Sequence, residues 1–226
     1  MKTEHQNLLK EACIKFGAGV LLVAILLFVP AGSIKYTGGW TLMAILFIPM
    51  FFAGLIMWRK APALLESRLR AKEQENTQKR VIGWSAVMFL LGFISAGLDF
   101  RWRWTNVPDW LETAAAMVFL AGYVLFAEVL RENSYLSRTI KVQKGQTVVD
   151  TGLYGAVRHP MYSATLLMFL AMPLVLGSWI SFAIFMTYPV LIYQRIINEE
   201  AVLSKELQGY AEYCRKVTYR LVPYIW

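Results

Sequence analysis

Six long runs of apolar residues constrain what this chain can fold into. A transmembrane helix needs about 20 consecutive apolar residues, because the hydrocarbon core of a bilayer is about 30 Å thick. The first four runs meet this length, and the last two are shorter and separated only by Gly177 and Ser178, which indicates a tight helical hairpin. The six runs cover roughly residues 12–30, 39–58, 81–98, 111–130, 161–177 and 179–195. We predict an all-α fold, a polytopic membrane helical bundle with about six transmembrane helices.

The composition agrees with one membrane domain over residues 1–226. The chain is 57% hydrophobic and 17% charged, whereas soluble domains average about 45–50% apolar and about 25% charged residues. Residues 1–132 would hold four spans, and residues 133–226 would hold a polar loop, the hairpin and a C-terminal interfacial helix. Pro173 and Pro189 fall inside the two arms of the hairpin and are expected to kink both.

The positive charge follows the loops between the spans. Of the 23 lysines and arginines, 20 lie in residues 1–15, 59–80, 131–158 and 195–220. The positive-inside rule then predicts that both termini and all four of these segments are cytoplasmic. The net charge of +8 is explained by topology and anionic lipid headgroups, so nucleic acid is not an expected partner. Cys13 and Cys214 show no metal-ligand spacing, and no metal is expected.

Three polar patches in the last ninety residues indicate chemistry. The first, IKVQKGQTVVDTGLY at residues 140–154, is a polar loop with a β-prone QTVVDTG centre that is either a ligand-lining loop or a plain connection. The second is RHPMY at residues 158–162, where Pro160 fits the first turn of a helix and keeps His159 out of helical geometry. A helix N-terminus suits a carboxylate or a phosphate, although a snorkelling Arg158 and an interfacial His159 would look the same.

The third patch is RIINEEAVLSKELQGYAEYCRKVTYRLVPYIW, at the end of the last run. Arg195 and Glu199 are four residues apart and so share one helix face, as a functional pair or as an ordinary salt bridge. Beyond them an apolar stripe at helical spacing predicts a helix that lies on the cytoplasmic surface and covers another part of the protein. The stripe consists of Leu203, Leu207, Tyr210, Tyr213 and Val217.

Residues 138–226 resemble the isoprenylcysteine carboxyl methyltransferase family, in its bacterial and archaeal branch. The resemblance is carried by TIKVQKGQTVVDTGLYGAVRHPMY, by RIINEE after a short helical hairpin, and by YAEY. It implies a membrane enzyme that uses S-adenosyl-L-methionine and methylates a lipophilic acceptor, with membrane lipids around it and no metal. It also implies the cell inner membrane as the location.

The resemblance also implies roles for individual residues. Glu199 matches a cofactor-binding carboxylate and Arg195 an arginine that positions the substrate, and we predict these two as the catalytic pair. The roles of Tyr210 and Tyr213 stay open. The other residues implied to bind the cofactor are Gln146, Thr147, Val148, Val149, Tyr154, Arg158, His159, Pro160, Met161 and Tyr162.

The nature of the acceptor stays open, because a prenylated cysteine carboxylate, another lipid carboxylate or a lipid amine would all suit an oily channel. A phospholipid N-methyltransferase is the nearest alternative enzyme. An NADPH-dependent membrane reductase of the sterol type is a second class, and a non-catalytic membrane interaction protein is a third. A channel or transporter is less favoured, since charges occur only at the ends of the spans.

Overall fold

The computed structural model describes residues 2–70, 76–133, 135, 142 and 145–226. This part of the chain forms helices joined by short connections, with no β-strand among the described residues. In chain order the helices are α1 (Lys2–Ala31), α2 (Thr37–Lys60), α3 (Pro62–Arg70), α4 (Asn76–Trp102), α5 (Asp109–Glu132), α6 (Leu153–Ala156), α7 (Pro160–Val175), α8 (Trp179–Phe185), α9 (Tyr188–Glu206) and α10 (Tyr210–Lys216).

Five helical segments of the described chain are long and apolar enough to cross a bilayer. Each has 24 to 28 residues and a mean hydropathy of 1.4 to 2.5, and apolar side chains on their outer surfaces are widely exposed. In a soluble protein such surfaces would aggregate, whereas in a bilayer they face lipid. The segments are Gln6–Ala31, Thr37–Lys60, Thr77–Trp102, Asp109–Glu132 and Trp179–Glu206. The predicted all-α membrane bundle is confirmed, and the chain is a multi-pass membrane protein.

The predicted hairpin is present, with arms that differ from the expectation. The fifth apolar run forms α7, which has only 16 residues, and the sixth forms α8 and α9 in succession. Pro173 lies inside α7 as expected. Pro189 lies in the first turn of α9, after a break at residues 186–187, so it begins a helix instead of kinking one.

A buried carboxylate fixes the tip of this hairpin against α4. Asp99 is 1% exposed and accepts hydrogen bonds from the backbone N–H of Thr105 at 2.7 Å and from the Ser178 hydroxyl at 2.5 Å. Ser178 also caps α8, since its oxygen accepts from the N–H of Ser181 at 3.1 Å. A buried charge is tolerated when hydrogen bonds replace its hydration, and these bonds tie the α7–α8 turn to α4.

Close packing holds α7 at the centre of the bundle. Gly122 on α5 faces Met168 on α7, and a β-carbon at this glycine would lie 2.6 Å from the Met168 Cγ. The absence of a side chain at Gly122 therefore lets the two helices approach. The buried core runs along α7 and includes Tyr162, Met168 and Met172, with Phe119 of α5 and Ile192 of α9. This packing sets the position of α7 within the bundle.

The C-terminal part is two helices where the sequence predicted one. α9 ends at Glu206 and α10 begins at Tyr210, because Gly209 adopts a left-handed conformation with φ of 84° that glycine tolerates and a helix interior does not. The apolar stripe still gathers into one cluster. Its buried members are Leu207, Tyr210, Tyr213 and Val217, and Val148 and Leu203 pack against them. What the stripe covers is thus the loop at residues 145–150.

Candidate functional site

One cleft collects almost all of the residues that the sequence singled out. It lies where the start of α7, the end of α9, α10 and the loop at residues 145–150 meet. Eleven of the twelve candidate residues line it, namely Gln146, Thr147, Val148, Val149, Tyr154, Arg158, His159, Met161, Tyr162, Arg195 and Glu199. Pro160 is fully buried beneath the cleft and begins α7. Their cofactor-binding roles remain predictions.

The RHPMY turn has the local geometry that its proline predicts. Pro160 occupies the first turn of α7, and His159 precedes it in a non-helical conformation with φ of −128° and ψ of 59°. Proline suits this position because it has no N–H to leave unpaired. His159 and Arg158 are thereby held beside the cleft just before the helix begins.

Tyr162 links the two residues predicted as the catalytic pair. Its hydroxyl donates to Glu199 Oε2 at 2.5 Å and accepts from Arg195 Nε at 2.7 Å. The Arg195 guanidinium also lies over the Tyr162 ring, 5.7 Å from its centroid. Tyr162 is 4% exposed, whereas Arg195 and Glu199 are half-buried. Arg195 and Glu199 share one face of α9 as predicted, and the buried Tyr162 hydroxyl of α7 is hydrogen-bonded to both side chains.

Glu200 is a site residue that sequence reasoning missed. Its Oε1 lies 3.2 Å from His159 Nε2 and 3.3 Å from Arg158 Nε, and its Oε2 accepts from Arg220 Nε at 2.9 Å. Glu200 is only 9% exposed. A carboxylate this buried is stable only when cations and hydrogen bonds surround it. The signal available in the sequence was a second acidic residue directly after Glu199 at the end of an apolar run.

The opposite wall of the cleft is built on Tyr154. The Tyr154 hydroxyl accepts from Asn133 Nδ2 at 3.0 Å, and its backbone carbonyl accepts from the Tyr213 hydroxyl at 2.8 Å. Burial raises the pKa of Tyr154 to about 12 and that of Tyr210 and Tyr213 above the usual range of a phenol. These phenols are therefore neutral at physiological pH. The hydroxyls of Tyr154 and Tyr210 can donate a hydrogen bond to a ligand, whereas that of Tyr213 already donates to the Tyr154 carbonyl.

Further lining residues escaped the sequence analysis, namely Asn133, Tyr135, Leu203 and Leu207, while Tyr210 and Tyr213, whose roles were left open, also line the cleft. Asn133 and Tyr135 follow α5, far from the RHPMY motif in sequence, so only the fold brings them to the cleft. Leu203 and Leu207 belong to the apolar stripe. Its periodicity predicted that these residues are buried, but not that they line the cleft.

The loop at residues 145–150 closes the cleft without forming a strand. Gln146, Thr147, Val148 and Val149 line it in extended or irregular conformations. An exposed ion pair secures the end of this loop, because Lys216 Nζ lies 2.6 Å from Asp150 Oδ2. The Lys216 ammonium holds the pKa of Asp150 below its usual value. The family-like residues 138–141, 143 and 144 lie outside the described part of the chain.

The cleft is lined by charged groups of both signs. Across the described ranges, no three His, Cys, Asp or Glu side chains gather in an arrangement that could hold a metal ion. The charged groups lining the cleft are the cations Arg158 and Arg195 and the anion Glu199. Glu200 lies behind them and contacts Arg158. This set can pair with a ligand that carries both a cationic and an anionic group.

Residues 110–209 match the family model described as phospholipid methyltransferase. The matched region contains α6–α9, the loop at residues 145–150 and every residue of the predicted site. It covers less than half of the chain, and it supports a membrane methyltransferase. It does not single out the isoprenylcysteine carboxyl methyltransferase family.

Two curated relatives are sterol reductases. The chain is 33% identical over 91 residues to the Delta(14)-sterol reductase TM7SF2 of Mus musculus, a match that covers 39% of this chain and 22% of that protein. It is 26% identical over 136 residues to the Delta(14)-sterol reductase of Methylotuvimicrobium alcaliphilum, which covers 54% of this chain and 32% of the relative. The chain thus matches a third or less of the length of these relatives.

Proposed function

We propose that this protein is an S-adenosylmethionine-dependent methyltransferase that acts on a lipophilic acceptor in the membrane. The observation that carries the proposal is the Arg195–Tyr162–Glu199 linkage, which sets a cation and a carboxylate side by side in a cleft within the region that matches phospholipid methyltransferases. We further propose the cell inner membrane as the location, with the short apolar helix α7 crossing as a sixth span beside the five long ones. The cleft and both termini then lie on one side, which the basic loops assign to the cytoplasm.

The residues of the cleft fit the charges of S-adenosylmethionine. This molecule carries a sulfonium, an ammonium and a carboxylate, so its net charge is about that of one cation at neutral pH. Glu199 can pair with the ammonium group and Arg158 with the carboxylate, and the His159 ring lies beside them in the cleft. The described lining carries one net positive charge, from Arg158 and Arg195 against Glu199, while Glu200 lies behind it and pairs with Arg158 and Arg220.

The neutral residues of the cleft suit the adenosine part. Tyr154, Tyr210 and Tyr213 offer aromatic faces and neutral hydroxyls. The loop at residues 145–150 offers backbone amides and the side chains of Val148 and Val149. Aromatic rings and aliphatic groups with a few polar contacts are the usual lining of a nucleoside site.

The chain's contribution to methyl transfer is positioning. S-adenosylmethionine held in the cleft would supply a methyl group on a sulfonium, and the acceptor would bond to that methyl carbon as its bond to sulfur breaks and a neutral thioether leaves. Glu199 and Arg195 orient the two reactants, and the hydroxyl of Tyr162 keeps these two side chains at a fixed separation. Such positioning lowers the barrier without an enzyme nucleophile. The apolar cluster around Leu207 and Tyr210 excludes water from the cofactor side of the cleft.

The acceptor we propose carries an anionic group for Arg195 and a lipid tail. A phospholipid headgroup meets this description through its phosphate and would be methylated on an amine, in agreement with the matched family model. A prenylated cysteine carboxylate meets it through the carboxylate that is itself methylated. Arg195 binds an anion in both cases. The two acceptors differ in the methylated group, which is an amine in the first and a carboxylate in the second.

A second candidate is an NADPH-dependent sterol-type reductase, favoured by the two curated relatives. NADPH carries several phosphates, and such a ligand needs a clear excess of basic side chains. The charged lining consists of Arg158 and Arg195 with Glu199, which leaves only one net positive charge. The described lining therefore favours the methyl donor over the dinucleotide.

The test is transfer of a labelled methyl group from S-adenosylmethionine to lipid extract by purified protein in lipid nanodiscs. We expect a labelled lipid product with the wild-type chain and with Glu206→Gln, an exposed control on α9. We expect at least tenfold less product with Glu199→Gln, because the ammonium loses a charged partner. Mass analysis of the product distinguishes an N-methyl amine from a methyl ester. No transfer to any lipid class would contradict the proposal.

A further inference from the structure

Residues 217–226 form a segment, here called the tail segment, that lies outside the matched region 110–209. We propose that the tail segment is part of the cofactor site, and that Arg220 is a positioning residue that sets His159 and Arg158 through Glu200. This inference rests on the proposed function, because it assigns cofactor binding to His159 and Arg158.

The backbone of the tail segment pairs with the RHPMY turn. The N–H of Arg158 donates to the carbonyl of Tyr219, and the N–H of His159 donates to the carbonyl of Arg220, both at 2.9 Å. The Ser163 hydroxyl donates to the carbonyl of Leu221 at 2.6 Å. Backbone N–H groups at the start of a helix have no partner within the helix. The tail segment satisfies those of Arg158 and His159, so it fixes the turn and leaves ligand binding to side chains.

A series of side-chain contacts accompanies these backbone hydrogen bonds. Arg220 Nε donates to Glu200 Oε2 at 2.9 Å, which leaves Glu200 Oε1 to His159 Nε2 at 3.2 Å and to Arg158 Nε at 3.3 Å. A ring nitrogen beside a carboxylate carries its proton, so Glu200 sets both the tautomer and the orientation of His159. Arg220 in turn fixes the Glu200 carboxylate, because a buried carboxylate is stable only beside cations and hydrogen-bond donors.

The tail segment is itself folded into a closed turn. The N–H groups of Leu221 and Val222 donate to the carbonyl of Trp226 at 2.8 and 3.1 Å. The Trp226 ring stacks on Tyr193 of α9 with centroids 5.3 Å apart, and the Arg220 guanidinium lies 5.3 Å from the Trp226 centroid. Arg220 is therefore clamped between an aromatic ring and a carboxylate and can act as a fixed point for the turn.

The experiment compares Arg220→Ala and Arg220→Lys with Arg215→Ala, an exposed arginine of α10 that serves as the matched control. Two measurements are made on the full chain in detergent. The first is the dissociation constant of S-adenosylmethionine by calorimetry. The second is the ring-nitrogen NMR signal of His159 without cofactor. The chain has only two histidines, so a His5→Gln variant assigns the signal.

We expect Arg220→Ala to weaken cofactor binding by about ten- to a hundredfold, as for the loss of a hydrogen bond between charged groups, and to move the His159 signal. Arg220→Lys should recover most of the affinity because it keeps a cation beside Glu200. Arg215→Ala should change neither quantity. A well-folded Arg220→Ala variant with wild-type affinity and an unmoved signal would overturn the inference while leaving the proposed function intact.

A wild-type chain without affinity for S-adenosylmethionine would overturn the proposed function and with it the cofactor role of the tail segment. The NMR signal is independent of cofactor. If that signal moved in Arg220→Ala, the tail segment would still position His159. If it did not move, the tail segment would have no such role.

Discussion

Tyr162→Phe is the sharpest perturbation of the site because it removes one oxygen atom and keeps the ring. The ring packs in the core and stacks beside His159 with centroids 5.7 Å apart, contacts that phenylalanine retains. The lost hydroxyl is the group that donates to Glu199 and accepts from Arg195. The variant therefore tests whether this link, rather than the aromatic ring, organises the cleft.

The effect on cofactor affinity follows from the charge-assisted hydrogen bond to Glu199, because Arg195 is assigned to the acceptor. Such a bond contributes about 1.5–3 kcal/mol when its partner is buried. Glu199 is only half-buried, so water can replace part of the loss and the lower end of that range applies. We expect about 2 kcal/mol of lost binding free energy, which corresponds to about a 30-fold weaker affinity for S-adenosylmethionine.

Calorimetry and methyl transfer on detergent-purified protein check this value. Tyr188→Phe is the matched control, because the Tyr188 hydroxyl is also buried and donates to a neutral partner, Thr165 Oγ1, at 3.1 Å. Its loss should lower thermal stability slightly and leave cofactor affinity nearly unchanged. If Tyr162→Phe bound S-adenosylmethionine as tightly as Tyr188→Phe and kept the wild-type kcat/KM, the reasoning would be refuted.

Three further predictions concern other parts of the molecule. Glu199→Gln should weaken cofactor binding by about tenfold or more in calorimetry, because an amide cannot neutralise an ammonium group. Ser178→Ala should destabilise the hairpin tip by about 1–3 kcal/mol in thermal unfolding, since Asp99 stays buried with one donor fewer, and should leave cofactor affinity unchanged. Lys216→Ala should return the pKa of Asp150 to its usual value in an NMR titration. Because that pKa is lowered in the folded protein, the stabilisation by this ion pair is complete at neutral pH and disappears as the pH falls through the carboxylate range.

The fold was largely predictable because hydropathy is a local property. Long apolar runs dictate spanning helices whatever their partners are, and the GS dipeptide at residues 177–178 marked the hairpin. The helix boundaries around Pro189 and Gly209 were not predictable in the same way. An apolar stripe at helical spacing continues through Gly209, and only the tertiary packing of Tyr210 against Val148 shows that the chain turns there.

The site was predictable where its residues are close in sequence. The RHPMY turn and the Arg195–Glu199 pair each form a unit within five residues. Glu200 and Asn133 were not found, because their roles depend on contacts with His159 and with Tyr154 across 41 and 21 residues. Arg220 likewise lies in a mostly apolar stretch, VTYRLVPYIW, where no sequence pattern marks it. Its contact with Glu200 exists only because the tail segment folds back on the start of α7.

Calorimetric titration of the detergent-purified wild-type chain with S-adenosylmethionine, and separately with NADPH, tests the central claim most directly. The charged lining of the cleft predicts saturable binding of S-adenosylmethionine that is at least tenfold weaker in Glu199→Gln, and no comparable binding of NADPH. Binding of NADPH alone by well-folded protein would contradict the account and favour the reductase that the curated relatives suggest.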